Sequence, residues 1–477
     1  MRLIVSVVFI IQLFFLKNII AQTYPSLNIN LLSHISPETD NTGSDGRKYS
    51  GCWGWDQSNK NKEYALIGTS SKTYFVDVTN PTSPILCDSV MAVQAGCTWR
   101  EIKTYQNYCY IVSDDNPPNS FQIVDMQYLP DSVHLVYNGT DYFERCHTIF
   151  VDNSNLYCGS VTDVGGTSYS TMRVYSLSTP TAPTLIRKLE QDISTSVISV
   201  VHDMFVRNDT VFASCGNNGL HILKLTTANT FSLMQSFTNY PYAGYNHSSW
   251  QSDDRKTLVF ADEVSPGLPA KVLDMSNMNN MILADTIRSN FGATAHNPYI
   301  VGNRWCWMST YVDGLYLYDI SDPYHTTIHG YFDTYPQHGA NDNMYNPAYR
   351  GNWGAYPYLP SKIIIALDMQ NGLFILDADN TYKNTIGIKE NNKPSILFST
   401  YPNPVKNVLN IVIANQQNNK LQYVITNLLG DELITEQIHI QQALDKIQIP
   451  IHHLSTGTYF ITLKNHQYSE TKKIIIQ

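Results

Sequence analysis

Leu315-Tyr316-Leu317-Tyr318-Asp319-Ile320-Ser321-Asp322-Pro323 is the stretch that decides how this chain folds. Aliphatic and aromatic residues run up to an aspartate, and a proline-containing turn follows. That is the signature of a short strand closed by a turn. The same phrase returns as Tyr74-Phe75-Val76-Asp77-Val78-Thr79-Asn80-Pro81 and as Gln122-Ile123-Val124-Asp125-Met126. Less regular copies stand at 174–177, 221–225, 272–275 and 373–377. Each is preceded by two further strand-like runs, and the first of these aligns on Trp53, Thr98, His147, His202, His247, His296 and Trp353. The copies therefore recur about every 45 to 57 residues. Strand-built self-similarity at this period indicates four-stranded propeller blades, and seven copies predict a seven-bladed β-propeller over residues 22–378. A steady period without a change of composition argues against an array of β-sandwiches.

The last copy stops after its third strand, while residues 27–32 alternate apolar and polar before the first copy begins. These residues are expected to supply the outer strand of the seventh blade, which would remove an exposed edge.

Bulk composition agrees. The chain has 477 residues, 43% of them hydrophobic and only 15% charged, which suits one large repeat domain plus a small one. Aromatics reach 12%, with 32 Tyr, and such residues fit half-buried pleated surfaces. The net charge of −9 and the lack of any long Lys/Arg run exclude nucleic acid as a partner and disfavour an anionic membrane surface. At the N-terminus, Arg2, an apolar run over 3–16 and Ile19-Ile20-Ala21 read as a signal peptide over 1–21, cleaved after Ala21. No transmembrane segment is expected in the mature chain. Eight cysteines are too sparse for a disulfide-dense scaffold. A bridge between Cys52 and Cys97 or Cys97 and Cys146, at equivalent positions of adjacent copies, and free buried thiols are the two alternatives.

Composition shifts to Asn and Lys over 379–394, which reads as a linker. Beyond it, strand patterns at 408–413, 421–426, 447–451 and 459–463, with turns at Leu429-Gly430-Asp431 and Ser455-Thr456-Gly457-Thr458, predict a small immunoglobulin-like β-sandwich over 395–477. Tyr401-Pro402-Asn403-Pro404, Asn427-Leu428-Leu429-Gly430, Leu454-Ser455-Thr456-Gly457-Thr458-Tyr459 and the basic-then-apolar terminus closely resemble the type IX (Por) secretion C-terminal sorting domain. The resemblance implies recognition by the type IX secretion machinery, and a protein secreted or held at the outer cell surface. The repeat region resembles the choice-of-anchor B family of LVIVD-type propellers. The carrying segments include Trp53-Gly54-Trp55, Trp99-Arg100-Glu101-Ile102-Lys103, His202-Asp203-Met204-Phe205-Val206, Ala295-His296-Asn297-Pro298 and Tyr331-Phe332-Asp333-Thr334-Tyr335-Pro336. That resemblance implies no particular reaction.

In a propeller the first strand of each blade lines a central channel, so the aligned positions form a ring at one channel mouth. Four successive copies place His147, His202, His247 and His296 there. Converging imidazoles suit a divalent transition metal ion, and neighbouring turns add Asp114, Asp115, Asp262, Glu263 and Asp313. The favoured metal set is His202, His247 and His296 with Glu263. The opposing reading is that these histidines pin blades together through backbone hydrogen bonds. Trp53, Trp55, Trp99, Trp250 and Trp353 near the same mouth either stack on a sugar or protein partner or fill the core. No Gly-x-Ser-x-Gly elbow, P-loop or His-Glu-x-x-His motif occurs, and no catalytic residue is assigned. Two functions follow: a non-enzymatic binding module taking a ligand or protein at the propeller face, or a metal-dependent hydrolase or lyase built on the His/carboxylate cluster.

Overall fold

The computed structural model describes residues 23–40, 46–115, 119, 121–338, 350–385, 398–414, 420–428, 430–440, 444–465 and 469–477. The expected signal peptide lies outside them. The chain divides into two compact units, Met1–Gly387 and Ile388–Gln477.

The first unit is all-β, made among the described residues of seven antiparallel sheets. In the first sheet, Tyr49–Gln57, Lys62–Thr69, Lys72–Asp77 and Ile85–Met91 follow one another as a meander. The later sheets repeat this order, their first strands being Arg100–Tyr105, Arg145–Asp152, Asp203–Arg207, Tyr245–Gln251, Pro298–Val301 and Asn352–Tyr356. From the first sheet to the sixth, each first strand packs on the first strand of the next. Asn352–Tyr356 packs on Trp305–Ser309 of the sixth sheet and on Tyr49–Gln57 of the first, so the succession returns to its start.

Two details recur with the repeat and explain its sequence phrase. The aspartate that ends a third strand accepts the backbone N–H two residues on: Asp77 from Thr79 at 2.9 Å, Asp125 from Gln127 at 2.9 Å, Asp274 from Ser276 at 2.8 Å and Asp319 from Ser321 at 3.0 Å. The carboxylate thereby fixes the turn into the outer strand. Every outer strand then carries a one-residue bulge facing the step into that phrase's end. The extra residues are Cys87, Val136, Ile186, Met234, Ala284, His329 and Leu32. A bulge twists and interrupts a strand, which in the sheets where that strand is the edge blunts its capacity to pair with another chain.

The N-terminal segment does complete the last sheet. Ile29–Ile35 pairs antiparallel with Gly372–Ala378, from Ile29 opposite Ala378 to Ile35 opposite Leu373. Just before it, Ser26–Leu27 pairs with Thr327–Phe332 of the sixth sheet, a connection the sequence pattern did not announce. Asn28 turns the chain between the two sheets at φ 57° and donates from its amide to the carbonyl of the bulge residue His329 at 2.7 Å. Asparagine tolerates this left-handed backbone because its short polar side chain bonds locally.

The polar stretch expected to be a linker begins instead as a helix, Asn380–Thr385. Asp379 caps it, accepting Tyr382 N–H at 3.0 Å, and also takes His329 Nε2 at 3.0 Å. Tyr382 is buried against Trp305 and Trp307, and Trp305 donates to Thr385 Oγ1 at 2.6 Å. Apolar anchoring thus overrides the polar composition of these six residues; 386–394 lie outside the described residues. All eight cysteines are free thiols, so no disulfide bridge joins adjacent sheets. Cys97 and Cys146 turn away from one another to partners of their own, Asn119 Oδ1 at 3.2 Å and Thr148 O at 3.2 Å.

The second unit contains a three-stranded sheet (Phe398–Tyr401, Val408–Ala414, Leu444–Pro450) and a four-stranded sheet (Glu432–His439, Lys420–Thr426, Gly457–Lys464, Ser469–Ile476). Leu409, Ile411, Ile425, Ile449, Ile461 and Ile474 meet in one apolar core between them.

Because Ile29–Ile35 occupies what would be the open edge of the seventh sheet, deleting residues 23–35 should lower the thermal midpoint of the first unit by on the order of 10 °C or more. An unchanged melting curve by circular dichroism would contradict closure by this strand.

Candidate functional site

The aligned histidines sit at or just before the first strands of the third to sixth sheets, and their rings form an unbroken row. Centroids lie 4.2 Å apart for His147–His202, 4.6 Å for His202–His247 and 4.4 Å for His247–His296. Local irregularity aims two members of the ring. His247 and, in the seventh sheet, Trp353 each occupy a register shift in their first strand, where an extra residue re-aims its side chain.

Every one of the four rings has its Nδ1 engaged from outside. His147 meets Asp114 Oδ2 at 2.6 Å and His202 meets the Tyr245 hydroxyl at 3.3 Å. His247 and His296 donate to backbone carbonyls, His296 O at 3.1 Å and Trp353 O at 2.6 Å. A carbonyl only accepts, so the last two rings carry a proton on Nδ1, and in its neutral form each ring leaves its lone pair on Nε2. Outer partners of this kind orient metal-binding histidines and fix their tautomer. The inner nitrogens then meet one another or a carboxylate. His147 and His202 face each other through Nε2 at 3.2 Å, and His247 Nε2 lies 3.7 Å from Glu263 Oε2. Glu263 is held in turn by the Tyr311 hydroxyl at 2.5 Å. His296 Nε2 is buried and has no partner among the described residues.

His202, His247 and Glu263 each offer a ligand atom within 4.8 Å of the others. Three of the four residues in the expected set therefore come together. His296 does not join that group; its carbonyl positions His247 instead. Of the neighbouring carboxylates, Asp114 serves His147 and Asp115 accepts the backbone N–H of Thr98 at 2.6 Å. Asp262 forms a fully buried ion pair with Lys271 and also accepts from Tyr240 at 2.9 Å. Asp313 accepts from Ser289 at 2.7 Å and Asn290 at 2.9 Å, away from the ring.

The row lines a small cleft, walled also by Trp99, Arg100, Glu101, Thr148, Asp203, Asn297 and Trp353. An adjoining small space shares Glu101, Asp203, Asn297 and Trp353 and adds Trp53, Lys103 and Trp250. Of the tryptophans, Trp55 is core: it packs on Tyr64 and donates to Gln106 O at 2.9 Å. Trp250 stacks on Tyr358 at 5.3 Å and packs between sheets. Trp99 and Trp353 stack on each other at 4.9 Å at the cavity wall. Tyr245, Tyr311 and Asn297 are site residues that sequence reasoning did not select, because a phenol or amide at a turn carries no chemistry-specific spacing.

Charge is unevenly shared along the row. Burial works against a charge on His147, yet the adjacent Asp114 carboxylate outweighs it and lifts its pKa to about 9. Burial, followed by the positive charge on His147, drives His202 well below the usual histidine range; burial and His247 do the same to His296. His147 is then the protonated ring and donates through Nε2 to a neutral His202.

Residues 399–477 match the family model described as "Secretion system C-terminal sorting domain". The C-terminal unit is therefore a type IX secretion sorting domain, which implies recognition by that machinery and export to the cell surface or beyond. Among solved structures the chain is similar to PorZ of Porphyromonas gingivalis, described as an essential bacterial surface component of the type-IX secretion system. Identity is 11% and the TM-score 0.45, over 93% of this chain and 61% of PorZ, so the chain spans less than two thirds of that protein's length. A likeness of this degree carries no function across. No curated protein matches the chain.

In the metal-free protein the native state holds the His147 proton over a pH range where the unfolded chain, near 6.5, has already released it. The stability this supplies is full below about pH 6.5 and is lost as pH rises through about 9. Asp114→Asn should lower the His147 pKa in a nuclear magnetic resonance titration and flatten the fall in unfolding free energy across that window. An unmoved titration would remove Asp114 as the cause.

Proposed function

We propose that the first unit is a seven-bladed β-propeller of the LVIVD choice-of-anchor B type, exported after signal-peptide cleavage by its type IX sorting domain, and that it works outside the cell as a binding module centred on a metal ion. The observation that carries the metal reading is the convergence of His202, His247 and Glu263, each with a ligand atom within 4.8 Å of the others; a metal there would displace the hydrogen bond between His147 and His202. Imidazole with a carboxylate suits zinc and other divalent transition metals, bound at about 2.0–2.2 Å. Seven equivalent sheets returning on themselves, each with the same outer-strand bulge, support the propeller architecture.

Elemental analysis of the mature protein should find about one divalent transition metal per chain. His247→Ala should abolish its retention while the melting curve stays cooperative. If the purified protein carries and rebinds no metal, and His247→Ala unfolds it, the histidines are structural pins and the metal reading fails.

Truncation after Asn392 should leave a folded first unit trapped inside the cell envelope. Normal appearance of that truncated protein outside the cell would sink the role given to the C-terminal unit.

A further inference from the structure

A larger cavity, sharing no residue with the histidine cleft, opens beside the outer strand of the sixth sheet. It holds about 500 Å³, within the about 300–1,000 Å³ of small-molecule sites. The N-terminal segment builds one side of it. Ser26–Leu27 pairs with Thr327–Phe332, and Asp333, the next residue, donates its backbone N–H to Pro25 O at 2.9 Å. Gly314 permits this approach: it stands at φ 81°, and a Cβ there would fall 2.7 Å from Asp333 Cα. Asp333 is thereby held at the cavity wall.

Two carboxylates line the space. Asp313 Oδ2 takes Ser289 Oγ at 2.7 Å and Asn290 Nδ2 at 2.9 Å, which engages both of these neutral donors. Asp333 is placed differently. It is only 9% exposed, its Oδ1 accepts Tyr335 N–H at 2.8 Å, and its Oδ2 accepts no hydrogen bond among the described residues. No lysine, arginine or histidine lines the cavity among those residues. Burial, with Asp313 adding to it, pushes Asp333 up to about 6; burial and the charge of Asp333 push the neighbouring Asp368 up to about 7. This corner of the sixth and seventh sheets is short of positive charge.

The remaining wall selects the kind of cation. Leu27 and Ile328 are exposed, and the half-buried Tyr331 stacks on Tyr316 at 5.2 Å, so the surface around the carboxylates is largely carbon. Calcium asks for about six to eight oxygen ligands, which this wall does not bring. A neutral molecule would leave the Asp333 carboxylate uncompensated. An ammonium group on a hydrocarbon body satisfies both parts of the wall.

We propose that this cavity binds an organic ammonium ion, whose N–H groups donate to Asp333 and whose hydrocarbon part covers Leu27, Ile328 and Tyr331. The site is separate from the metal reading and stands without it.

The test titrates the full mature chain calorimetrically at about pH 8, where Asp333 is ionised, with n-hexylammonium, 1-hexanol and calcium chloride. The ammonium should saturate a single site and bind at least tenfold more tightly than either of the others. Asp333→Asn should weaken it tenfold or more. Ile328→Lys, at an exposed strand position, should supply a tethered ammonium that competes for the cavity and weaken binding as much; it covers the case in which Asp333→Asn does not fold. Absence of saturable ammonium binding overturns the proposal. So does 1-hexanol or calcium bound as tightly as the ammonium, or an affinity unchanged in the folded variants.

Discussion

The antiparallel pairing of Ile29–Ile35 with Gly372–Ala378 is the contact on which the remaining structure depends. A run of sheets that packs first strand on first strand ends in two unlike terminal sheets unless something ties the last to the beginning of the chain. Here the N-terminal strand enters the seventh sheet, and that sheet's own first strand packs on the first sheet. Asn28, His329 and Asp379 reinforce the junction by linking the entering strand, the sixth-sheet bulge and the cap of the helix that follows. The geometry of the inner strands, and with it the spacing of the histidines, is inherited from this closure.

The site follows from the same constraint. Strands that begin at equivalent places around a closed succession bring equivalent positions together, so four histidines far apart in sequence become touching neighbours. What differentiates them is local. Asp114 charges His147, backbone carbonyls fix the tautomers of His247 and His296, and the displaced ladder at His247 and Trp353 turns those side chains relative to their strands. Equivalent positions thus acquire unequal chemistry without any change in the repeat.

The repeat phrase made the succession of antiparallel sheets legible, because an aspartate that fixes a turn leaves the same mark in every copy that retains it. The phase of the first strands was legible for the same reason, and it located the histidine row. Which histidines converge with Glu263 was only partly readable. His296 aligns as well as His202 does, but its fate is decided by the carbonyl of Trp353, a main-chain group that no side-chain pattern reveals. The helix at Asn380–Thr385 was hidden behind polar composition, since one buried tyrosine and a capping aspartate suffice to fix it. The pairing of Ser26–Leu27 with the sixth sheet was equally invisible, being two residues long.

An exported chain with eight unpaired thiols carries a chemical hazard from synthesis onward. Compartments outside the cytoplasm favour oxidation, and the unfolded chain offers every sulfur to it. In the folded protein all but Cys87 are buried, and burial pushes thiols such as Cys52 up to about 12, so the reactive thiolate is suppressed. Packing here does the work that cross-links do elsewhere, and it does so reversibly. Each transient opening of a sheet momentarily returns a nucleophile to solution. The lifetime of this protein outside the cell is therefore coupled to how rarely its sheets breathe, and the rate at which its sulfurs are labelled is a direct clock of that motion.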